Sequence, residues 1–306
     1  MRITLFAVCG VLLAVSAVLP PRIDAIAQNN LSNASFSRDH DVLPSDLGLA
    51  FQDVIVPSDG LPLAGWWMPP EDPDAPNATT TVVLVHGYAA TMSHPVRRWA
   101  FNLHDAGYSL LAIDLRNHGA SPDDGGRVTY GMTEADDVAN AVSYVRSHSK
   151  QLGVDPDRIV LYGGSMGAAT VLNVAGRGLP GVIGVVADSS FASFRFEAHV
   201  DGKAQGYPRF IVDWVVDRMD DLAPRPPSHS RPDHALAGMQ VPALLAQCKE
   251  DVNITPPNFE RLVAVAPVGT STWFGSCPTG PSDEHHVDGW MDPAYNATVR
   301  SFLDRL

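Results

Sequence analysis

Cysteine is scarce in this chain, and positive charge is in deficit. Among 306 residues there are three cysteines, and 21 Lys and Arg stand against 34 Asp and Glu, a formal net charge of −13. Such a balance repels polyanions, and no cluster of Lys and Arg offsets it, so nucleic acid is excluded as a partner and anionic membrane surfaces are disfavoured. No spacing of His, Cys and carboxylates forms a metal-ligand frame; His229 and His234 lie in a Pro-rich stretch without regular spacing. Neither a metal nor a cofactor is expected. What the chain has in quantity is apolar residues, 45% of the total, enough for the core of one large domain.

The first residues differ from the rest. Arg2 gives a positive start, residues 3–19 are almost wholly apolar, and Ala25-Ile26-Ala27 is a small-x-small pattern. This reads as a secretory signal peptide over 1–27, implying a secreted or periplasmic protein. An uncleaved anchor facing outside is the alternative, because the run is long for a signal and slightly short for a span. Residues 28–45, polar and aperiodic, read as a flexible leader before a domain over 46–306. With Cys9 inside the signal, Cys248 and Cys277 remain, and an even pair in an exported chain points to a disulfide, with two buried thiols as the other reading.

From Phe51 onward short apolar runs alternate with helical patterns. Residues 51–56 and 63–68 read as an antiparallel pair, followed by buried strands near 81–85, 109–113, 158–162, 182–187, 241–246 and 270–274. A helix is expected to open at Thr133, with Asp136 completing a variant capping box. The alternation predicts an α/β fold, a doubly wound, mostly parallel eight-stranded sheet whose ligands sit beyond the carboxyl ends of the strands. It breaks at about 191–235, read as an inserted helical cap. The stretch Phe210-Ile211-Val212-Asp213-Trp214-Val215-Val216 is apolar nearly all round, which makes Phe210, Trp214 and Met219 candidates for a substrate-pocket wall or for cap-to-core packing.

Between the strand ending at Tyr162 and the next helix stands Gly163-Gly164-Ser165-Met166-Gly167. A serine hydroxyl is a poor nucleophile until a base takes its proton, and a tight strand-to-helix turn holds it out above the sheet, within reach of one. The glycines fit the strain of such a turn. An acid and a base should follow in chain order, each beyond a strand: Asp251 as the acid, with Asp188 and Glu250 as rivals, and His285 or His286 as the base. The developing oxyanion needs two backbone N–H donors, which Met166 and Tyr88 supply in this reading.

Val85-His86-Gly87-Tyr88, Asp114-Leu115-Arg116-Asn117-His118-Gly119, the Ser165 motif, Lys249-Glu250-Asp251 and His285-His286-Val287 together resemble the α/β-hydrolase superfamily, and within it the serine esterase and lysophospholipase-like branch with a short cap. The resemblance implies a Ser165, Asp251, His286 triad with Tyr88 and Met166 as oxyanion donors. Asn117 and His285 stand where that branch commonly has glycine. The expected activity is hydrolysis of a hydrophobic or acyl carboxylic ester, a small-molecule substrate, through an acyl-enzyme. A peptidase or acyltransferase on the same triad, or a non-catalytic binding protein on the same scaffold, are the alternatives.

Overall fold

The apolar runs become one eight-stranded sheet in the computed structural model, which describes residues 19–278 and 286–306. Its strands are β1 (Gln52–Ser58), β2 (Leu61–Met68), β3 (Thr81–Val85), β4 (Ser109–Ile113), β5 (Ile159–Gly164), β6 (Val182–Asp188), β7 (Ala243–Cys248) and β8 (Ser271–Gly275), in the order β1-β2-β4-β3-β5-β6-β7-β8. Only β2 runs against its neighbours. Both faces are covered, which is why the central strands read as unbroken apolar runs. Along β3, Val83 and Val85 pack with Val138, Ala141 and Val142 of the helix Glu134–Leu152, while Val82 and Leu84 pack on the opposite face with Val96, Trp99, Leu103 and Phe302. Alternate residues of one strand thus feed two separate cores.

Three sequence expectations need correction. The helix Glu134–Leu152 does open after Thr133, but Thr133 has helical backbone angles and makes no side-chain cap. The Glu134 carboxylate instead ties the preceding turn to the helix, accepting from the Thr129 and Gly131 N–H groups and from the Thr129 hydroxyl.

The helix Arg209–Leu222, expected to be buried on several sides, is amphipathic. It buries Val212, Val216 and Met219 on a single stripe, leaving Phe210 at 67% and Trp214 at 39% exposure. Off that stripe, Asp213 and Asp217 pair with Arg195 of the preceding helix, while Phe210 and Trp214 meet solvent among the described residues. Between β6 and β7 the chain also forms the helices Phe194–Ala204 and Pro232–Ala237.

Residues 28–45 are held against the fold. Asn33 donates to the Asn117 carbonyl, Arg38 to the Gly119 and Ser121 carbonyls, and Ser93 to the Val42 carbonyl. Helix 19–31 overlaps the start of this segment and runs across the expected cleavage point; its Ala27 and Leu31 are fully buried against Phe191, Phe194, Val212 and Met219. A polar, aperiodic sequence hid this because its partners come from distant segments. No helix among the described residues is long and apolar enough to cross a membrane. Residues 1–18, most of the expected signal, lie outside the described residues.

Cys248 and Cys277 form a disulfide with their Cα atoms 5.4 Å apart. It joins the carboxyl end of β7 to the segment just beyond β8, beside the Lys249 N–H to Gly275 carbonyl bond.

Leu31→Ala is expected to lower the unfolding free energy by roughly 2–4 kcal/mol in urea titrations; a change below about 0.5 kcal/mol would fit an unattached leader. The double variant Cys248→Ala, Cys277→Ala is expected to lose roughly 3–4 kcal/mol in the same assay, because the bridge closes a long loop in the unfolded chain.

Candidate active site

β5 ends in two glycines and the next helix, Met166–Ala175, begins at once, so the chain reverses at Ser165. Ser165 sits at φ 56 and ψ −124, a region costly for any residue with a side chain. Its neighbours must be bare. A Cβ at Gly163 would lie 2.3 Å from the Gly167 carbonyl oxygen, and one at Gly167 would lie 2.5 Å from the carbonyl oxygens of both Val85 and His86. The turn is pinned by the Ser165 N–H, which donates to the Asp188 carbonyl at 2.8 Å.

Beyond β7, Asp251 is buried, and its Oδ1 accepts from the N–H groups of Asn253 and Ile254. Its Oδ2 lies 2.9 Å from His286 Nδ1. With Nδ1 facing a carboxylate, that nitrogen carries the proton and Nε2 is left with a lone pair. His286 and Ser165 line the same small cavity, of about 90 Å³. Ser165 Oγ makes no hydrogen bond among the described residues. His285 lies outside the described residues.

The rival acids do other things. Asp188 faces away into a buried network, where Tyr295 donates to its Oδ2 at 2.6 Å and Tyr162 hydrogen-bonds Tyr295. Glu250 accepts from the Cys277 N–H. His86 is structural: it is buried, its Nε2 accepts from the Leu115 N–H, its Nδ1 donates to the Gly87 carbonyl, and burial pushes its pKa down to about 3.

The loop after β3 touches the turn: a Cβ on Gly87 would lie 3.1 Å from Ser165 Cβ. Neither the Tyr88 nor the Met166 N–H donates to a backbone acceptor in the described turns and loops. The Tyr88 ring stacks on Tyr130 and meets Phe36 edge-on, and the Tyr130 hydroxyl donates to the Asn30 carbonyl, so the segment before β1 braces this loop. In the preceding turn system Asn117 takes φ 65, a left-handed geometry that asparagine tolerates in place of glycine.

The remaining cavity wall includes His94, Arg98, Trp99 and Val287. Phe210, Trp214 and Met219 are absent from the described lining of this cavity; of the two readings open for them, Met219 takes cap-to-core packing, while Phe210 and Trp214 are exposed. Sequence reasoning missed the true wall; the one available signal was the Arg97-Arg98 doublet in a chain short of positive charge. A larger cleft of about 440 Å³ lies behind the stacked Trp99 and Tyr162 rings and reaches none of Ser165, Asp251 or His286.

Residues 82–303 match the alpha/beta hydrolase family. The protein YfhR of Escherichia coli (strain K12) is 31% identical over 211 residues, covering 68% of this chain and 65% of that protein, so the match spans under two thirds of the relative's length. Among solved structures, the Pyrococcus furiosus esterase Pf2001 superposes with a TM-score of 0.67 at 22% identity, covering 90% of this chain and 98% of that one. Porphyromonas gingivalis dipeptidyl peptidase 4 superposes with a TM-score of 0.59 at 18% identity, covering 84% of this chain and 35% of that one. At such identities the likeness is one of fold.

Burial raises the Asp188 carboxyl to about 6 from its ordinary 3.8, partly opposed by the Tyr295 and Ser189 hydroxyls that donate to it. The folded protein therefore keeps this proton where the unfolded chain has lost it. The associated stability is complete below pH 3.8 and disappears as pH rises through about 6. Asp188→Asn mimics the protonated group at every pH. Its stability relative to the parent is expected to rise between pH 4 and 6 by roughly 1–3 kcal/mol, measured by denaturant titration; a flat difference would show that the carboxyl titrates normally.

Proposed function

Because the chain belongs to the alpha/beta hydrolase family, we propose that it is an exported serine hydrolase that cleaves carboxylic esters through an acyl-enzyme. In this reading Ser165 is the nucleophile, His286 the general base and Asp251 the acid that orients it. The observation that carries it is the 2.9 Å contact between His286 Nδ1 and Asp251 Oδ2 at a cavity that Ser165 also lines.

The steps follow from that arrangement. The lone pair on His286 Nε2 takes the Ser165 proton as Oγ attacks the ester carbonyl. The Asp251 carboxylate keeps Nδ1 protonated and stabilises the imidazolium that forms. The carbonyl oxygen, becoming negative, receives the N–H groups of Met166 and Tyr88; losing one such donor typically costs about 2.7–4 kcal/mol of transition-state stabilisation. His286 then gives its proton to the departing alkoxide, and water repeats the sequence on the acyl-enzyme.

The small cavity favours a short acyl group, and an oxidising compartment is supported by the Cys248–Cys277 bridge. Among the fold relatives an esterase favours the ester bond, while a dipeptidyl peptidase keeps the peptide bond as the second reading.

Ser165→Ala is expected to abolish labelling by a fluorophosphonate probe and to lower turnover of p-nitrophenyl acetate by roughly a million-fold. Asp251→Asn is expected to retain the fold and lose about 10⁴-fold in kcat, because the imidazole is then held in the wrong tautomer. Parallel assays with p-nitrophenyl acetate and the matching anilide separate the two bonds. Undiminished turnover in Ser165→Ala would sink the mechanism.

A further inference from the structure

Helical stretch 93–105 widens to a π-turn over Val96–Ala100, and this turn carries both Arg98 and Trp99 into the Ser165 cavity. π-turns within helices recur at functional sites because the extra residue re-aims the side chains around it. Arg98 is half-buried, its guanidinium makes no hydrogen bond or ion pair among the described residues, and its Nε is sealed from solvent with no acceptor. The neighbouring arginine is different: Arg97 pairs with Asp41.

A buried guanidinium is costly unless something offsets it. The fields of Asp288, Asp188 and Asp41 offset part of that cost, but none of these carboxylates comes within ion-pair distance. The donors are thus left available, in a cavity that also holds Ser165 and His286. His94, on the same wall, adds no competing charge: burial and the adjacent Arg98 and Arg97 push its pKa down to about 3, so it stays neutral. Among the described residues that line this cavity Arg98 is the one lysine or arginine, on a protein whose formal net charge is −13.

We propose that Arg98 is an anion-binding subsite of the Ser165 cavity, and that the substrate is an ester bearing a carboxylate or phosphate close to its scissile carbonyl. This rests on the reading of Ser165 as nucleophile. The planar guanidinium suits either oxyanion, since both accept two N–H bonds side by side. The small cavity keeps the anion and the scissile carbonyl only a few bonds apart.

Two matched pairs of esters test the idea and separate its two sources. Monobutyl glutarate against butyl pentanoate places the charge on the acyl side; 1-acetylglycerol 3-phosphate against 1-acetylglycerol places a phosphate on the alcohol side. In one of the pairs the charged ester is expected to have a kcat/KM about 10- to 100-fold higher, the range of a charge-assisted hydrogen bond. Arg98→Met is expected to bring that ratio to near one, and Arg98→Lys to restore part of it. Equal kcat/KM within both pairs, or a preference that survives in Arg98→Met, would overturn the proposal. So would a uniform slowing of both members of a pair with the ratio intact, which would mean that Arg98 only supports its surroundings.

Fluorophosphonate labelling is run alongside. An unlabelled parent protein means that the nucleophile reading has failed, whereas labelling without any charge preference defeats the Arg98 subsite alone. Should Arg98→Met not fold, the parent protein still decides. Glutarate or inorganic phosphate is expected to slow labelling of Ser165 relative to chloride at equal ionic strength, and absence of protection by both would refute the subsite.

Discussion

Backbone touches backbone at the turn around Ser165, and the rest of the site depends on that contact. The carbonyls of Val85 and His86 approach Gly167 so closely that no side chain fits there, and the Gly167 carbonyl does the same to Gly163. The end of β3, the end of β5 and the start of the following helix are thereby locked together. The strained φ of Ser165, worth roughly 1–3 kcal/mol, persists because its surroundings allow no other path and because its N–H is tied to the Asp188 carbonyl. The same closeness brings the Gly87-Tyr88 loop beside Oγ.

The chain segments leading to Asp251 and His286 are joined at their start by a different device. They leave adjacent parallel strands, β7 and β8, and the disulfide, the Lys249 N–H bond to Gly275 and the Cys277 N–H bond to Glu250 join them just beyond the strand ends. Asp251 is fixed in turn by two backbone N–H donors of its own loop. Across the fold, buried carboxylates act as acceptors for loops that lack regular partners. Asp114 collects the Met92 and Ala120 N–H groups and the His40 ring, and Asp137 takes up the Arg116 guanidinium and N–H. Many of the acidic residues behind the net charge of −13 are therefore part of the scaffold. Arg98 stands out against this pattern as a half-buried cation with no carboxylate partner among the described residues.

Much of the fold was legible because both faces of the sheet are covered. A run such as Thr81-Val82-Val83-Leu84-Val85 has no other stable use, and the strands found begin and end within about two residues of the apolar runs. The turn at Ser165 was legible in part for a local reason, since Gly163 answers a steric demand set by the nearby Gly167, whereas the demand on Gly167 itself comes from Val85 and His86. The cavity wall was not. Trp99 and Arg98 reach the site through a π-turn that leaves no periodic signature, while Phe210 and Trp214 stayed open to two readings because a helix's own sequence cannot say what will face it.

The segment before β1 makes the same point. Leu31 and Phe36 sit among polar residues in the chain, and nothing local says that they will be buried or stacked against Phe194 and Tyr88. The strands, their parallel winding, the serine turn and the order in which Asp251 and His286 follow it could be read from the chain alone, because each of these is set by period, steric fit or position in the chain. Packing alone fixed that His286 meets Asp251, that the expected leader braces the loop at Tyr88, and that Arg98 lines the same cavity as Ser165. Those outcomes depend on distances between residues far apart in the chain, and such distances exist only once the two faces of the sheet have been packed.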